Sequence, residues 1–443
     1  MHAVAFSARM KPGLAPLALA FALALTTSAS ADAAVDTTWT QRLEAARAAM
    51  AADDVVSARR HLLALDALAG GHTGAKSALA TLAARQGDRA EVLRWLDALA
   101  ATGIWRPVAD DTLFARWRAD TAFRAVASRL AANAAPIANA VLVDSLGDPG
   151  LLAEDVAWDA AGGRYLVSSI HRGKIVALDR AGRVTDFTAP GAADVWGVYG
   201  LALDRANGLL WATTAAGPEY AGFAPGDSGR TALLAYDLRT ARLKRRVELP
   251  RAPARQVLGD LTVGPDGTVY ACESLGGAVH RLRRGAAAFD TLVGPGTFRS
   301  PQGCAVAADG RRLYVADYTR GVAAVDLASG AVGWLPKPYA LSSGGIDGLC
   351  LTGGRLLAIQ NGPTPKRVLE LGLDPRGERI ESWRVLEQAS ERLGEPNHGV
   401  VVGHDFVLIG DSGWDRVGED GRLRVTKESR PPVLLRLRLD AGR

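Results

Sequence analysis

The sequence predicts a mainly β chain: a six-bladed β-propeller over residues 140–440, preceded by a small α-helical repeat region over 36–132. Three observations carry this. A hairpin phrase occurs six times, its copies fall 43 to 60 residues apart, and the stretch before them has helical spacing with almost no strand pattern. The copies are EDVAWDAAGGRYLVSS at 154, YGLALDRANGLLWATT at 199, GDLTVGPDGTVYACES at 259, QGCAVAADGRRLYVADY at 302, DGLCLTGGRLLAIQNG at 347 and HGVVVGHDFVLIGDS at 398. Each alternates apolar residues, turns at Gly, Asp or Asn, and alternates again. Period two means strand, and two such runs around a tight turn mean a hairpin. Repetition at this interval is the mark of four-stranded blades.

The N-terminus reads as an export signal. Arg9 and Lys11 form a short basic region, Leu14 to Leu25 is apolar, and Ala29-Ser30-Ala31 offers a small-residue cleavage site. Residues 1–31 are therefore expected to be removed, and the mature chain to be periplasmic or secreted. No later segment is apolar for long enough to span a membrane. The formal charge of +5, less Arg9 and Lys11, leaves +3. With no basic cluster interleaved with aromatics, nucleic acid is not expected as a partner.

In 36–132, MAADDVVSARRHLLAL (50–65) superimposes on ARQGDRAEVLRWLDAL (84–99) at an offset of 34. Asp54 falls on Asp88, Ala58 on Val92, Leu62 on Leu96 and Leu65 on Leu99. That period belongs to tetratricopeptide-like helical hairpins. The region could dock a protein partner, or it could cap the propeller. Pro136 then ends the helical region in a linker.

AVLVDSL (140–146) is an isolated strand, and the last blade is one strand short. Unpaired propeller edges are closed when one blade mixes strands from both ends of the chain, so 140–146 is expected to complete blade six. Two connections, 214–231 and 412–432, are longer than the rest, and both join the second and third strands of a blade. They should emerge where the inner strands begin, and long loops converging on one mouth carry function.

The first position of each copy should line that mouth: Glu154, Tyr199, Gly259, Gln302, Asp347 and His398, with Asp155 and Asp260 beside them. A second ring ends the following strands: Ser169, Thr213, Glu273, Asp317, Asn361 and Asp411. In the second ring, Glu273, Asp317 and Asp411 read as turn formers rather than catalysts. Carboxylates facing one narrow channel repel unless protons or a cation intervene. Oxygen ligands suit a hard divalent cation, calcium first and magnesium or manganese next. Cys272, Cys304 and Cys350 sit inside apolar strands without metal-site spacing, and read as core residues.

The phrases EDVAWD, GDLTVGPDG, PQGCAVAADGRRLYVAD and IDGLCL resemble the senescence-marker/gluconolactonase/luciferin-regenerating family of six-bladed propellers, over about 140–440. The resemblance implies a divalent metal in the channel, held by a Glu from blade one, an Asn from blade four and an Asp from blade five. Here those positions are Glu154, Gln302 and Asp347. Gln302 keeps the amide oxygen but adds a methylene. The family's blade-three Asn is Gly259, followed by Asp260.

The resemblance further implies metal-assisted opening of a small lactone or sugar-derived ester. Asp347 or Asp260 would act as general base, and His398 would move a proton near neutral pH. The alternative is a non-catalytic propeller that recognises a ligand or, through its helical repeats, a protein. No GxSxG elbow, HExxH pair, phosphate-binding loop or dinucleotide fingerprint stands in a suitable context.

Overall fold

The computed structural model describes residues 37–189 and 195–439. The expected export segment, 1–31, lies outside them. No helix among the described residues is long and apolar enough to cross a membrane.

Among the described residues, twenty-four strands form six four-stranded antiparallel sheets. Five are sequential meanders whose inner strands are Ala153–Asp159, Gly197–Asp204, Leu258–Val263, Pro301–Val306 and Ile346–Thr352. The sixth mixes the two ends of the chain. Its inner strand is Gly399–Val402, and its outermost strand is Val141–Ser145, paired with Val433–Arg438 through Val141↔Arg436 and Ser145↔Val433. That pairing covers the edge that Val433–Arg438 would otherwise expose.

The alternation read in the sequence becomes a ring of shared cores. Blade one joins blade two through Leu166, Ile175, Val198 and Leu210. Blades two and three share Leu233, Leu258 and Leu261. The ring closes where blade six meets blade one, through Ile409, Leu434, Val156 and Val167. Side chains of this size each contribute about 1.5–3 kcal/mol when fully buried.

Before the propeller lie five helices: α1 (Thr37–Ala51), α2 (Val55–Leu68), α3 (Thr73–Gln86), α4 (Arg89–Ala100) and α5 (Thr121–Ala132). With the short 3-10 helix Thr112–Trp117 they form one core around Leu62, Leu65, Leu79, Leu96, Leu99, Phe114 and Phe123. Asp54 and Asp88, the pair superimposed at offset 34, are both N-caps, accepting from the Ser57 and Glu91 backbone N–H groups at 3.0 Å.

The helices pack on loops at the face where the inner strands begin. The Trp105 N–H donates to Thr364 O at 2.8 Å. Arg367 Nη1 donates to Thr102 O at 3.1 Å, and Lys337 Nζ to Gly70 O at 3.0 Å. At the seam, Lys76 Nζ pairs with Asp66 Oδ1 at 2.8 Å and lies 3.9 Å over the Tyr339 ring, whose hydroxyl donates to Asp66. The helical region therefore covers the mouth face over blades four and five.

Candidate functional site

Five of the six inner strands have a register shift at their mouth end. The shifts fall between Ala153 and Val156, Val198 and Leu201, Leu258 and Leu261, Pro301 and Cys304, and Ile346 and Leu349. Each brackets a first-ring residue and its neighbour. A bulge interrupts strict alternation and re-aims side chains. This explains how consecutive residues, Glu154 and Asp155, are both buried, at 7% and 6% exposure. Small residues let the inner strands converge. A Cβ on Gly303 would stand 2.5 Å from Asp347 O, and one on Gly348 2.6 Å from Asn397 O.

His398, just before the sixth inner strand, is the meeting point. Its Nε2 lies 3.1 Å from Asp260 Oδ1 and 4.0 Å from Asp347 Oδ1, and its Nδ1 lies 3.9 Å from Asp155 Oδ1. The short approach to Asp260 is off the line of an N–H bond, so Nε2 makes an ion contact there and no aligned hydrogen bond among the described residues. Asp155 is fixed by the backbone of two blades: the neighbouring Val156 N–H donates to Oδ1 and the blade-two Leu201 N–H to Oδ2, each at 2.7 Å.

Glu154 and Asp347 are joined by amides. Asn397 Nδ2 donates to Glu154 Oε2 at 2.5 Å, and Asn361 Nδ2 to Asp347 Oδ2 at 2.6 Å. Asn361 Nδ2 also lies 3.5 Å from Asn397 Oδ1. The Trp414 indole N–H, from the 412–432 loop, donates to Glu154 Oε2 as well.

Burial sets the charge states. It pushes the Glu154 carboxyl well above the usual range, reinforced by Asp347. It raises Asp347 and lifts Asp155 to about 6. For His398, burial alone would favour the neutral ring. Asp260, Asp155 and Asp347 outweigh it and hold the imidazolium to a pH well above that of a free histidine.

The residues expected from the sequence fall into two groups. Asp260, Asp347 and His398 lie together, and Asp155 joins them. Glu154 meets Asp347 through the amides. Gln302 is buried in the mouth, where its Nε2 donates to Ser300 Oγ at 2.9 Å. Gly259 has a local cause: a Cβ there would stand 2.4 Å from Ser274 Oγ. In the second ring, Asp317 Oδ2 accepts the Arg299 and Ser300 N–H groups. Glu273 accepts from Val257, Leu275 and Gly276. Asp411 meets Arg430 at 3.1 Å. Sequence reading missed Asn397 and Trp414. Asn397 adjoins a first-ring residue, which is a usable signal; Trp414 lies inside a long loop and gave none.

The donor set suits a hard divalent cation. Glu154 Oε1, Gln302 Oε1 and Asp347 Oδ1 accept no hydrogen bond among the described residues, so each keeps an oxygen for ligation. Three buried carboxylates, Glu154, Asp155 and Asp260, and the partly buried Asp347 share the mouth with one imidazole, an excess of negative charge that a cation would balance.

No family model matches the chain, and no curated protein matches it. Solved structures similar to it include a calcium-binding regucalcin from Agrobacterium tumefaciens (16% identity, TM-score 0.46, 68% of this chain and 93% of that one). Others are a gluconolactonase from Xanthomonas campestris (16%, 0.45, 70% and 93%) and a PQQ-bound aldose sugar dehydrogenase from Streptomyces coelicolor (18%, 0.44, 68% and 99%). The six-bladed architecture rests on the strand pairing above, not on these likenesses.

Proposed function

We propose that this chain is an exported hydrolase that opens a small lactone or sugar-derived ester beside a divalent cation, calcium first, in the propeller channel. The observation that carries the reading is the carboxylate set at the mouth: Asp155, Asp260 and the partly buried Asp347 within 4.0 Å of the His398 imidazole, and the buried Glu154 beside them.

Glu154, Gln302 and Asp347 would hold the cation. Bound there, it would supply polarisation of the carbonyl and a more acidic water. The chain's own groups handle the protons. With Asp347 Oδ1 given to the cation, Asp260 Oδ1 takes a proton from the attacking water as its oxygen adds to the carbonyl carbon. His398 Nε2, 3.1 Å from that oxygen, returns a proton to the ring oxygen as the C–O bond breaks. Asn397 and Trp414 orient Glu154, and Asn361 orients Asp347.

The test is hydrolysis of a panel of small lactones by chelator-treated protein before and after calcium or manganese is restored. Activity should require the cation, and Asp347→Ala should abolish both cation binding and hydrolysis while the circular dichroism spectrum is kept. Turnover unaffected by chelator, or by Asp347→Ala, would refute the reading.

A second reading, a non-catalytic binding protein, is favoured by one observation: Gly259 offers no side chain where the family has an Asn, so one of the family's polar positions is absent. In that reading the helical region would recognise a protein. Deleting 36–132 should then remove partner capture while channel-ligand affinity stays unchanged; capture that survives the deletion would refute it.

A further inference from the structure

We infer that Asp155, Asp260 and His398 form a second cation site, one that takes a borderline transition metal of the zinc class and shuts off the proton path. One ligand atom from each residue lies within 4.8 Å of the others, and all three side chains are buried. An acidic cluster alone would mean little. The independent observation is His398 Nε2: a ring nitrogen of a residue 6% exposed, enclosed in the cluster 3.1 Å from Asp260 Oδ1 but off its own N–H line, with no aligned hydrogen bond among the described residues. A buried polar nitrogen is normally satisfied. Here a ligand in the cluster would satisfy it.

The donor chemistry selects the metal. Calcium takes six to eight oxygens, whereas one imidazole with two carboxylates suits zinc, which is held by three or four ligands at about 2.0–2.2 Å. Such bonds need ligand-to-ligand edges of about 3.4 Å, so modest side-chain rotations close the set. The Val156 and Leu201 N–H groups already hold Asp155 in place, as supporting contacts do at metal sites. The site is distinct from the oxygen-only set Glu154, Gln302 and Asp347, though Asp347 Oδ1 stands 4.0 Å from His398 Nε2 at its edge.

Occupation has a functional consequence that rests on the hydrolase reading. A metal on His398 Nε2 and Asp260 removes both groups from proton transfer, so zinc should inhibit an enzyme that calcium supports.

The experiment is calorimetric titration of zinc chloride, and separately calcium chloride, into the chelator-stripped full chain, with cobalt as an absorption probe of nitrogen ligation. His398→Gln and Asp260→Asn should each weaken zinc by about tenfold or more while calcium changes by less than about threefold. Glu154→Gln should do the reverse. Melting curves confirm folding, and the second variant serves if the first does not fold. Zinc affinity unchanged in both variants, or zinc lost only in Glu154→Gln, would overturn the inference while leaving a channel cation intact. Binding of neither metal would overturn the hydrolase reading as well.

Discussion

His398 Nε2 lies 3.1 Å from Asp260 Oδ1, and their side chains are 7% and 6% exposed. An imidazole and a carboxylate this close and this dry stabilise each other's charge. Removing His398 leaves Asp260 buried without a cationic partner among the described residues, whereas removing Asp260 leaves the imidazole with Asp155 and Asp347 at 3.9 and 4.0 Å.

The first prediction concerns pH. The folded state lifts Asp155 to about 6 from 3.8, and raises His398, Glu154 and Asp347. A carboxyl with a raised pKa binds its proton more tightly when folded, so stability falls as pH rises through that window. A raised histidine gives stability that is full below its unfolded pKa and lost as pH rises through the folded one. Both signs agree. For Asp155 alone the shift corresponds to about 3 kcal/mol. Relative to Asp155→Asn, the cation-free protein should therefore lose more stability between about pH 5 and about pH 9. Urea midpoints of both proteins in excess chelator measure this; parallel profiles would contradict it.

The second concerns the helical seam. Lys76→Ala leaves Asp66 buried beside Tyr339 without its ammonium partner. Breaking a buried pair from one side costs about 3–5 kcal/mol. Urea unfolding of the variant should show a shoulder as the helical region melts first. An unchanged single transition would mean that the seam does not depend on this pair.

The third concerns the amide bridge. Asn397→Ala removes the donor to Glu154 and an acceptor facing Asn361. Unsatisfied buried groups of this kind cost about 1–3 kcal/mol each, and Glu154 loses one of its two orienting contacts. Both melting temperature and calcium affinity should fall. A fall in stability with calcium affinity intact would assign Asn397 to structure alone.

The fourth concerns ring closure. A chain lacking residues 1–146 loses the strand Val141–Ser145 and exposes the edge of Val433–Arg438. It should self-associate on size exclusion, while a chain beginning at 136 should stay monodisperse if the full chain does. Equal behaviour of the two would contradict a closing role.

The six blades were legible because period-two alternation survives in every copy and a turn residue separates each pair of runs. First-ring residues were legible for the same reason: a fixed phase in a repeated strand puts Glu154, Asp347 and His398 at one end. What the pattern could not carry is contact between rings of different blades. Whether His398 meets Asp260 or Gln302 depends on bulges of a single residue and on Gly303 and Gly348 letting strands converge. Asp155 was visible only as a neighbour, since strict alternation would turn it away from Glu154. Trp414 reaches Glu154 from a loop with no repeat counterpart, so no periodicity announces it.

The most direct measurement is the melting temperature of the chelator-stripped protein at about pH 8, before and after a divalent cation is added. If the buried carboxylates and His398 form a cation centre, the midpoint should rise and saturate. At a hundredfold excess over Kd the gain should be about 2.7 kcal/mol, and Glu154→Gln together with Asp260→Asn should abolish it. No rise with calcium, manganese or zinc would mean that protons alone neutralise the cluster, and the metal-assisted account would be wrong.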